Sequence, residues 1–290
     1  MNKEFKRIFD LVHAGLIPPV VEHETIKTIV VHGSNFHSDD AAFVALIKEC
    51  HNPNVTVIRT NDLKKVKPGN GTIIADIGGE YDGEWLYDHH QFNWDGLDDA
   101  RSAVGLFYDD WCNPLYHRIK PIIREIDRFD AGPSGSQTTS NIGHVISDMN
   151  PLWFEERTAE LFDHKFNEAV ELMAVMFRAR IMGNIGAIKA DRWLDDHASV
   201  MGDGILILNK FVPWRAWATK HPEIQAVVTV GRGGKYNAQL TKSRFPKVWM
   251  DTLPNGVEYI HKGSMSFVSC DSLETAIWSV GQSTKTKELV

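Results

Sequence analysis

Nine histidine and aspartate residues in the first half of the chain have side chains of the types that can bind or support divalent metal ions. They are His32, His37, Asp39, Asp76, Asp88, His89, His90, Asp127 and Asp130. Carboxylates and imidazoles without thiolates suit Mn, Mg, Zn or Co, and these ligand types alone do not choose among the four metals. The chemistry that this set predicts is metal-dependent hydrolysis of a phosphoester.

The number of acids favours two metal ions over one, with Asp76 central enough to bridge them. Two ions about 3.5 to 4 Å apart can activate a water between them and neutralise the phosphoryl oxygens as charge develops. Asp39 or Asp40 is expected to help orient that water.

The tripeptide Asp88-His89-His90 is the most informative part of this set. Successive side chains of an extended segment point in opposite directions, so the two histidines should have different roles. We expect one to face metal and the other to face substrate. Asp88 is expected to orient a neighbour rather than to bind metal.

Each of these residues also has an ordinary structural interpretation. His32 can be a polar strand end, and Asp39 and Asp40 can be acids that favour the start of a helix. Asp127 and Asp130 stand three apart near the end of a helical pattern, where solvated acids are common. The coincidence of five segments that each supply a carboxylate or an imidazole favours a shared site.

The elements that must position these side chains are short β-type runs and helices. Three β-rich runs, TIVV, VTVIR and TIIA, cover 28–31, 55–59 and 72–75, and Ser38 to Cys50 has a helical apolar face with Ser38 as a plausible N-cap. Strand, helix and strand close naturally as a parallel unit. The pattern predicts an α/β fold with an open, parallel sheet, whose ligands bind at the carboxyl ends of the strands.

The sequence as a whole predicts three segments. Residues 1–150 are expected to form a metal-binding catalytic domain, 151–195 a connecting helical segment, and 196–290 a smaller α/β domain. Apolar residues recur at three- to four-residue intervals from about 155 to 191, where Gly183 and Gly186 allow a break or kink.

Composition narrows the function classes. A net charge of -7 argues against a protein that coats long nucleic acid, although a short phosphorylated substrate stays compatible. The three cysteines are scattered without CxxC spacing, which supports neither a disulfide framework nor a thiolate zinc site. No apolar run approaches a membrane span, and no signal peptide is evident, so we expect a cytoplasmic protein without a membrane partner.

Four segments, in this order, resemble the MYG1 family (UPF0160), a branch of the DHH phosphoesterase superfamily. They are HGSNFHSDDAAFVALI, ADIGGEYD, YDHHQ and EIDRFDAG, against family patterns of roughly HDGTFHCDE, DVGGxYD, YDHHQ and EIDxIDNG. The chain departs from the family at Gly33, Ser38, Asp40 and Ala131, where Asp, Cys, Glu and Asn are usual. No departure removes a proposed ligand, although the shorter Asp40 can alter hydrogen bonds around the metal.

The resemblance implies a two-domain enzyme, whose first domain has a doubly wound, mainly parallel sheet and carries a Mn-type dinuclear site. His32, His37 and Asp39 match the first metal motif, and Asp76 matches the bridging carboxylate. By the superfamily pattern, His89 binds metal and His90 contacts the scissile phosphate. The match of the fourth motif at Asp130-Ala131-Gly132 favours Asp130 over Asp127 as a ligand.

The second domain is expected to hold substrate through GRGGKYNAQLTKSRFPKVW and YIHKGSMSF. Between positions 228 and 262 the sequence has six lysine or arginine residues and two acidic residues, which gives a local charge of +4. Arg and backbone amides near glycines can clamp phosphate, although a solvated hairpin would also carry such lysines. The substrate-binding candidates are Arg232, Arg244, His261 and Lys262, of which the last three match family positions.

The resemblance therefore implies a 3′-to-5′ exonuclease that acts on RNA or short oligonucleotides. A small-molecule phosphohydrolase for a nucleoside bisphosphate, a cyclic dinucleotide or pyrophosphate is the second enzymatic hypothesis. A catalytically silent metal- or nucleotide-binding regulatory module is the third. A homodimer is kept among the expected assemblies.

Overall fold

The computed structural model of the chain describes residues 7–92, 99–132 and 141–285. It divides into two compact units, Met1–Asn184 and Ile185–Val290. The first contains a parallel sheet, the second contains a mixed sheet, and one long helix runs across the division. The predicted α/β fold class is confirmed.

The sheet of the first unit has four parallel strands, in the order β2-β1-β3-β4. The strands are β1 (Thr28–Val31), β2 (Thr56–Arg59), β3 (Thr72–Ala75) and β4 (Leu86–Tyr87). Strands β1 and β3 are central and bury their last three residues, as β-branched apolar runs between neighbouring strands do. All four carboxyl ends therefore lie at one edge, where the predicted metal-binding segments begin.

Five short helices surround this sheet. They are α1 (Ile8–His13), α2 (Ser38–Cys50), α3 (Ala103–Trp111), α4 (Lys120–Asp130) and α5 (Ile142–Ser147), with a 3-10 helix at Pro114–Ile119. Helix α2 is buried along almost its whole length, because α1, α3, α4 and α5 all pack against it. Its polar first turn is therefore held inside the unit rather than in solvent.

Helix α6 (Ala159–His197) is one continuous helix, so the break considered at Gly183 does not occur. The preceding 3-10 segment holds this stretch, because Arg118 donates to the Gly183 carbonyl at 2.8 Å and Asn184 donates to the Leu115 carbonyl at 2.5 Å. Upstream on the same helix, Arg178 donates to both carboxylate oxygens of buried Glu49, at 2.8 and 2.7 Å. These tertiary bonds outweigh the weak helix propensity of glycine.

The second unit has a six-stranded sheet in the order β5-β6-β7-β8-β10-β9, in which only β6 and β7 are parallel. The strands are β5 (Ser199–Met201), β6 (Ile205–Leu208), β7 (Ala226–Val230), β8 (Tyr236–Leu240), β9 (Val257–Ile260) and β10 (Phe267–Cys270). Helices α7 (Arg215–Lys220) and α8 (Leu273–Lys285) complete it. Their apolar residues contribute to two clusters that cover the sheet.

In the described part of the chain, no helix combines the length and the apolar content needed to cross a bilayer.

Candidate metal site

The ends of three neighbouring strands supply the centre of the site. His32 follows β1, Asp76 follows β3, and Asp88-His89-His90 follows β4. The first turn of α2 adds Asp39 and Asp40, with His37 directly before it, and α4 ends at Asp130. The parallel sheet therefore brings together side chains that lie almost one hundred positions apart in the sequence.

These side chains form two overlapping groups that share Asp76. Each group offers ligand atoms that all lie within 4.8 Å of one another. One group is His32, His37, Asp40 and Asp76, and the other is Asp39, Asp76, His89 and Asp130. A third, smaller grouping joins Asp76 to His89 and His90. Two ions that share one carboxylate fit this arrangement, because the shared side chain has two oxygen atoms.

Short contacts join the two groups through Asp76. Its Oδ2 lies 3.3 Å from His32 Nε2, and its Oδ1 lies 3.2 Å from His89 Nε2. His32 Nε2 is also 2.8 Å from Asp40 Oδ2, and His89 Nε2 is 2.9 Å from Asp130 Oδ2. One oxygen of Asp76 thus faces each group.

With both histidine Nε2 atoms unprotonated, as metal binding requires, most of these atoms are buried without a hydrogen-bond partner. In the described part of the chain, seven of the ten buried side-chain nitrogen and oxygen atoms that lack a partner belong to this site: His32 Nε2, Asp39 Oδ2, Asp40 Oδ1, both Asp76 oxygens, His89 Nε2 and Asp130 Oδ2. An unpaired buried polar atom costs about 1 to 3 kcal/mol. A set of lone pairs directed at common points fits bound cations, which supply the missing partners.

The charge of the site leads to the same interpretation. Burial, together with the carboxylates of Asp130, Asp76 and Asp40, raises the pKa of Asp39 well above its usual value. Burial tends to lower the pKa of His32, but Asp40 and Asp76 outweigh it and raise that pKa to about 11. The metal-free site therefore retains protons to balance its negative charge. Two divalent cations would balance the four carboxylates of the two groups with neutral imidazoles.

His32 is oriented for metal binding by its own backbone. Its Nδ1 lies 3.0 Å from the Gly33 carbonyl oxygen, which can only accept a hydrogen bond, so Nδ1 carries a proton. When Nε2 loses its proton, the lone pair faces Asp40 and Asp76. A second ring nitrogen held in this way is the usual support for a metal-binding histidine.

Within the tripeptide, the three side chains have different environments. Asp88 is buried and accepts hydrogen bonds from the Gly79 amide at 2.7 Å, from the His90 amide at 3.0 Å and from His90 Nδ1 at 2.7 Å. These bonds hold the pKa of Asp88 below its usual range, despite burial, and Asp88 in turn raises the pKa of His90. His89 is buried against Asp76 and Asp130, whereas the His90 side chain is 60% exposed. Asp88 thus holds a histidine that solvent can reach.

Asp76 lies on a left-handed stretch of backbone, with φ of 55°. Its amide donates to the Tyr87 carbonyl at 2.8 Å, which ties the end of β3 to the end of β4. Aspartate is one of the few residues other than glycine that tolerates this conformation. The backbone therefore helps to set the direction of the shared carboxylate.

The structure does not place Asp127 with the metal-binding groups. Its Oδ1 accepts from the amide of Ser102 at 3.0 Å and from the Ser102 hydroxyl at 2.8 Å, and its Oδ2 accepts from Arg124 at 2.6 Å. Gly105 makes room for this carboxylate, because an added Cβ there would lie 1.9 Å from Asp127 Oδ1. Asp127 therefore joins α4 to the first turn of α3, while Asp130 faces the site.

Asp40 has a larger part in the geometry than the sequence indicated. Beside its 2.8 Å contact with His32, it accepts from the His37 amide at 3.0 Å and so closes the first turn of α2. The sequence suggested that it orients water, and the structure places it among the potential ligands of one group. Its position next to Asp39 at a helix start was the available signal.

The four substrate-binding candidates of the second unit are all exposed. Arg232 lies in the 3-10 turn between β7 and β8, and Arg244 follows β8. His261 and Lys262 follow β9 and line an open groove of about 570 Å³, which Trp249 and Tyr259 also line. His261 Nδ1 accepts from the Ser264 amide at 3.0 Å, which fixes the turn after β9.

The chain matches one family model over more than half of its length. Residues 28–229 match the model MYG1_exonuc, described as an uncharacterised protein family (UPF0160). A MYG1 protein of Dictyostelium discoideum is 27% identical over 232 residues, covering 65% of this chain and 68% of that protein. A MYG1 protein of Saccharomyces cerevisiae is 24% identical over 238 residues, with the same two coverages.

Solved structures give weaker likenesses. An uncharacterised protein from Helicobacter pylori is 12% identical, with a TM-score of 0.27 over 85% of this chain and 93% of that chain. RecJ in complex with Mg²⁺ from Thermus thermophilus is 10% identical, with a TM-score of 0.25 over 88% of this chain and 48% of that chain. Scores this low support no conclusion about the fold or the site.

Proposed function

Because the chain belongs to the MYG1 family (UPF0160), we propose that it is a metal-dependent phosphodiesterase. Its proposed substrate is RNA or a short oligonucleotide, which it would cleave as a 3′-to-5′ exonuclease. The observation that carries the proposal is the set of buried, unpaired ligand atoms around Asp76. Such a set is costly to a stable fold unless it binds something positively charged.

The donor types suit two hard or borderline divalent cations, with manganese proposed ahead of magnesium, cobalt and zinc. His32, His37, Asp40 and Asp76 would hold one ion, and Asp39, Asp76, His89 and Asp130 would hold the other. When bound, the ions would polarise the phosphoryl group and make water acidic enough to serve as a nucleophile near neutral pH.

The protein's own contribution to phosphate binding centres on His90. This histidine is the exposed member of the tripeptide, and its Nδ1 is held by Asp88 at 2.7 Å. Since that contact raises its pKa, the imidazole favours the protonated form, in which it donates to a phosphoryl oxygen. Asp88 would keep the ring in place without binding metal itself.

The second unit would hold the part of the substrate away from the reacting phosphate. Arg232, Arg244, His261 and Lys262 are the proposed contacts, because all are exposed cations or hydrogen-bonding groups. Exposed arginine and lysine bind phosphates with a strength that falls as salt rises. Substrate affinity should therefore weaken with ionic strength.

A substrate panel tests the proposal. A 5′-labelled RNA decamer, the matching DNA, a cyclic dinucleotide and a nucleoside bisphosphate would each be incubated with Mn²⁺, Mg²⁺ or Co²⁺, and the products resolved by length. A ladder of labelled RNA that shortens one nucleotide at a time supports 3′-to-5′ attack.

Release of the labelled 5′ mononucleotide as the first product would contradict that direction. Cleavage of the small substrates alone would replace it with the small-molecule phosphohydrolase, which the net charge of -7 favours. Bound metal without turnover of any substrate would support the regulatory module instead. The matched control is His90→Gln, which should lose turnover yet bind Mn²⁺ normally.

A further inference from the structure

Two aromatic side chains of the first unit are unusually exposed. Trp153 is 87% exposed and Phe154 is 68% exposed, and their rings meet edge to face with centroids 5.6 Å apart. Large aromatic side chains usually bury about 150 to 250 Å² each, so leaving both in water forfeits much of the stabilisation that they can provide. Neither ring contributes to the core of the unit.

The turn that carries them is well fixed. The Glu155 carboxylate accepts from the Leu152 amide at 2.6 Å, and the Glu155 amide donates to the Leu152 carbonyl at 3.1 Å. Trp153 and Phe154 are the central residues of this turn, where Gly, Pro, Asn, Asp or Ser is usual. A turn closed from both sides presents the two rings at its tip.

This turn is tied to the segment that carries the metal-binding residues. Asn150 accepts from the Phe36 amide at 3.0 Å and donates to the Phe36 carbonyl at 2.9 Å, directly before His37. Arg157, on the other side of the turn, donates to Asn35 Oδ1 at 2.6 Å. Three residues span at most about 11 Å, so Trp153 stays close to Asn150 and thus to the edge of the site.

We propose that Trp153 and Phe154 form a stacking platform for an unpaired nucleobase of the substrate strand. The inference rests on the proposed function, because it assigns a substrate contact beside the same metal site. Aromatic rings bind any base through its π-face, which suits an enzyme that removes nucleotides irrespective of sequence. The neighbouring Glu156 is exposed and would repel phosphate, so the platform takes the base rather than the backbone.

Fluorescence anisotropy tests the platform. The probe is a fluorescein-labelled uridine decamer with phosphorothioate linkages, which slow hydrolysis, in the presence of Mn²⁺. Removing the aromatic ring on which one base stacks lowers the affinity by about 5- to 150-fold. We expect Trp153→Ala and Phe154→Ala each to weaken binding by about tenfold, and Trp153→Phe to restore most of the loss.

Two controls distinguish base stacking from nonspecific binding to exposed aromatic side chains. Phe211 is also 87% exposed but belongs to the second unit, and Phe211→Ala should leave the affinity unchanged. A decamer that lacks bases should bind the parent and Trp153→Ala equally. Equal binding of the normal decamer by the parent and both alanine variants would overturn the platform. It would also be overturned if Phe211→Ala lost as much affinity as Trp153→Ala, or if the parent did not bind the decamer.

A second readout keeps the platform distinct from the proposed function. Mn²⁺-dependent hydrolysis of the decamer that lacks bases measures the proposed function without the platform, because this strand has no ring that can stack on Trp153. Failure of the parent to hydrolyse any phosphodiester would overturn the proposed function but leave the binding contrast intact. Loss of self-association in Trp153→Ala, with RNA binding unchanged, would overturn the platform and assign the rings to a second copy of the chain.

Discussion

Asp127 and Asp130 stand three residues apart on α4, and their replacement should have opposite consequences. Asp127→Ala removes the acceptor for two Ser102 bonds and for Arg124 inside the first unit. Breaking a buried charge pair costs about 3 to 5 kcal/mol. Asp130→Ala instead removes a carboxylate that contacts His89 Nε2 at 2.9 Å, but it also relieves the repulsion between that carboxylate and Asp39 in the metal-free site.

The expected magnitudes follow from these contacts. Asp127→Ala should lower the free energy of unfolding of the first unit by about 3 to 5 kcal/mol, or its melting midpoint by roughly 6 to 20 °C. Its Mn²⁺ affinity should stay near the parent value. Because the lost contact with His89 and the relieved repulsion oppose each other, Asp130→Ala should lower metal-free stability by less than Asp127→Ala does. It should weaken one bound ion by more than about 100-fold, since the loss of a mere support for a ligand already costs about 10- to 100-fold.

Urea unfolding in EDTA, followed by circular dichroism, and titration calorimetry with Mn²⁺ measure the two effects. Ser102→Ala provides a graded control, because it removes one of the three bonds to Asp127 and the N-cap bond from the Gly105 amide. It should cost about 2 kcal/mol without an effect on metal. The reasoning fails if Asp127→Ala retains its stability but loses Mn²⁺ binding. It fails equally if Asp130→Ala is destabilised as much as Asp127→Ala.

Four other predictions concern separate parts of the structure. Glu49→Ala should lower the unfolding free energy by about 3 to 5 kcal/mol in urea, because it leaves Arg178 without its buried partner; unchanged stability would contradict it. Gly105→Ala should lower the free energy of unfolding by about 2 to 3 kcal/mol, measured by thermal denaturation, because the new Cβ collides with the buried Asp127 carboxylate. Mn²⁺ at about 100 times its Kd should raise the free energy of unfolding of the parent by about 2.7 kcal/mol. It should raise that of Asp76→Asn much less, and scanning calorimetry measures both. Burial tends to raise the pKa of Asp82, but three backbone amides outweigh it and hold that pKa low. The ionised carboxylate therefore stabilises the parent over Asp82→Asn. The difference between their urea midpoints should be full above about pH 5 and should shrink as pH falls below about 3.9.

The elements with a clear local signal were predicted closely from the sequence. The runs TIVV and TIIA are strands β1 and β3 at the expected residues, and α2 covers Ser38–Cys50. Strands β4 and β5 were not anticipated. The first has two residues and depends on pairing with β3, and the second is exposed along its length and depends on β6. Pairing across the sheet, rather than local sequence pattern, creates such strands.

The same distinction separates the predicted site residues. Strand ends and a helix start are visible in the sequence, so His32, Asp39 and Asp76 could be proposed together before the structure was considered. Asp127 and Asp130 have the same residue type and share a helical face, and residue spacing cannot tell them apart. What distinguishes Asp127 is Ser102, which lies 25 residues earlier and approaches it only in the folded unit.

The link between Glu49 and Arg178 has a consequence for synthesis on the ribosome. The two residues are 129 positions apart in the chain. At about 5 to 20 residues per second, translation takes roughly 6 to 26 s to proceed from one to the other. During that interval, the nascent chain contains β1, α2, His32 and His37 and gains the other residues of the site, but the cation that pairs with Glu49 has not yet been made. The first unit should therefore complete its folding late in translation, and its early strands are where a chaperone would have most time to bind.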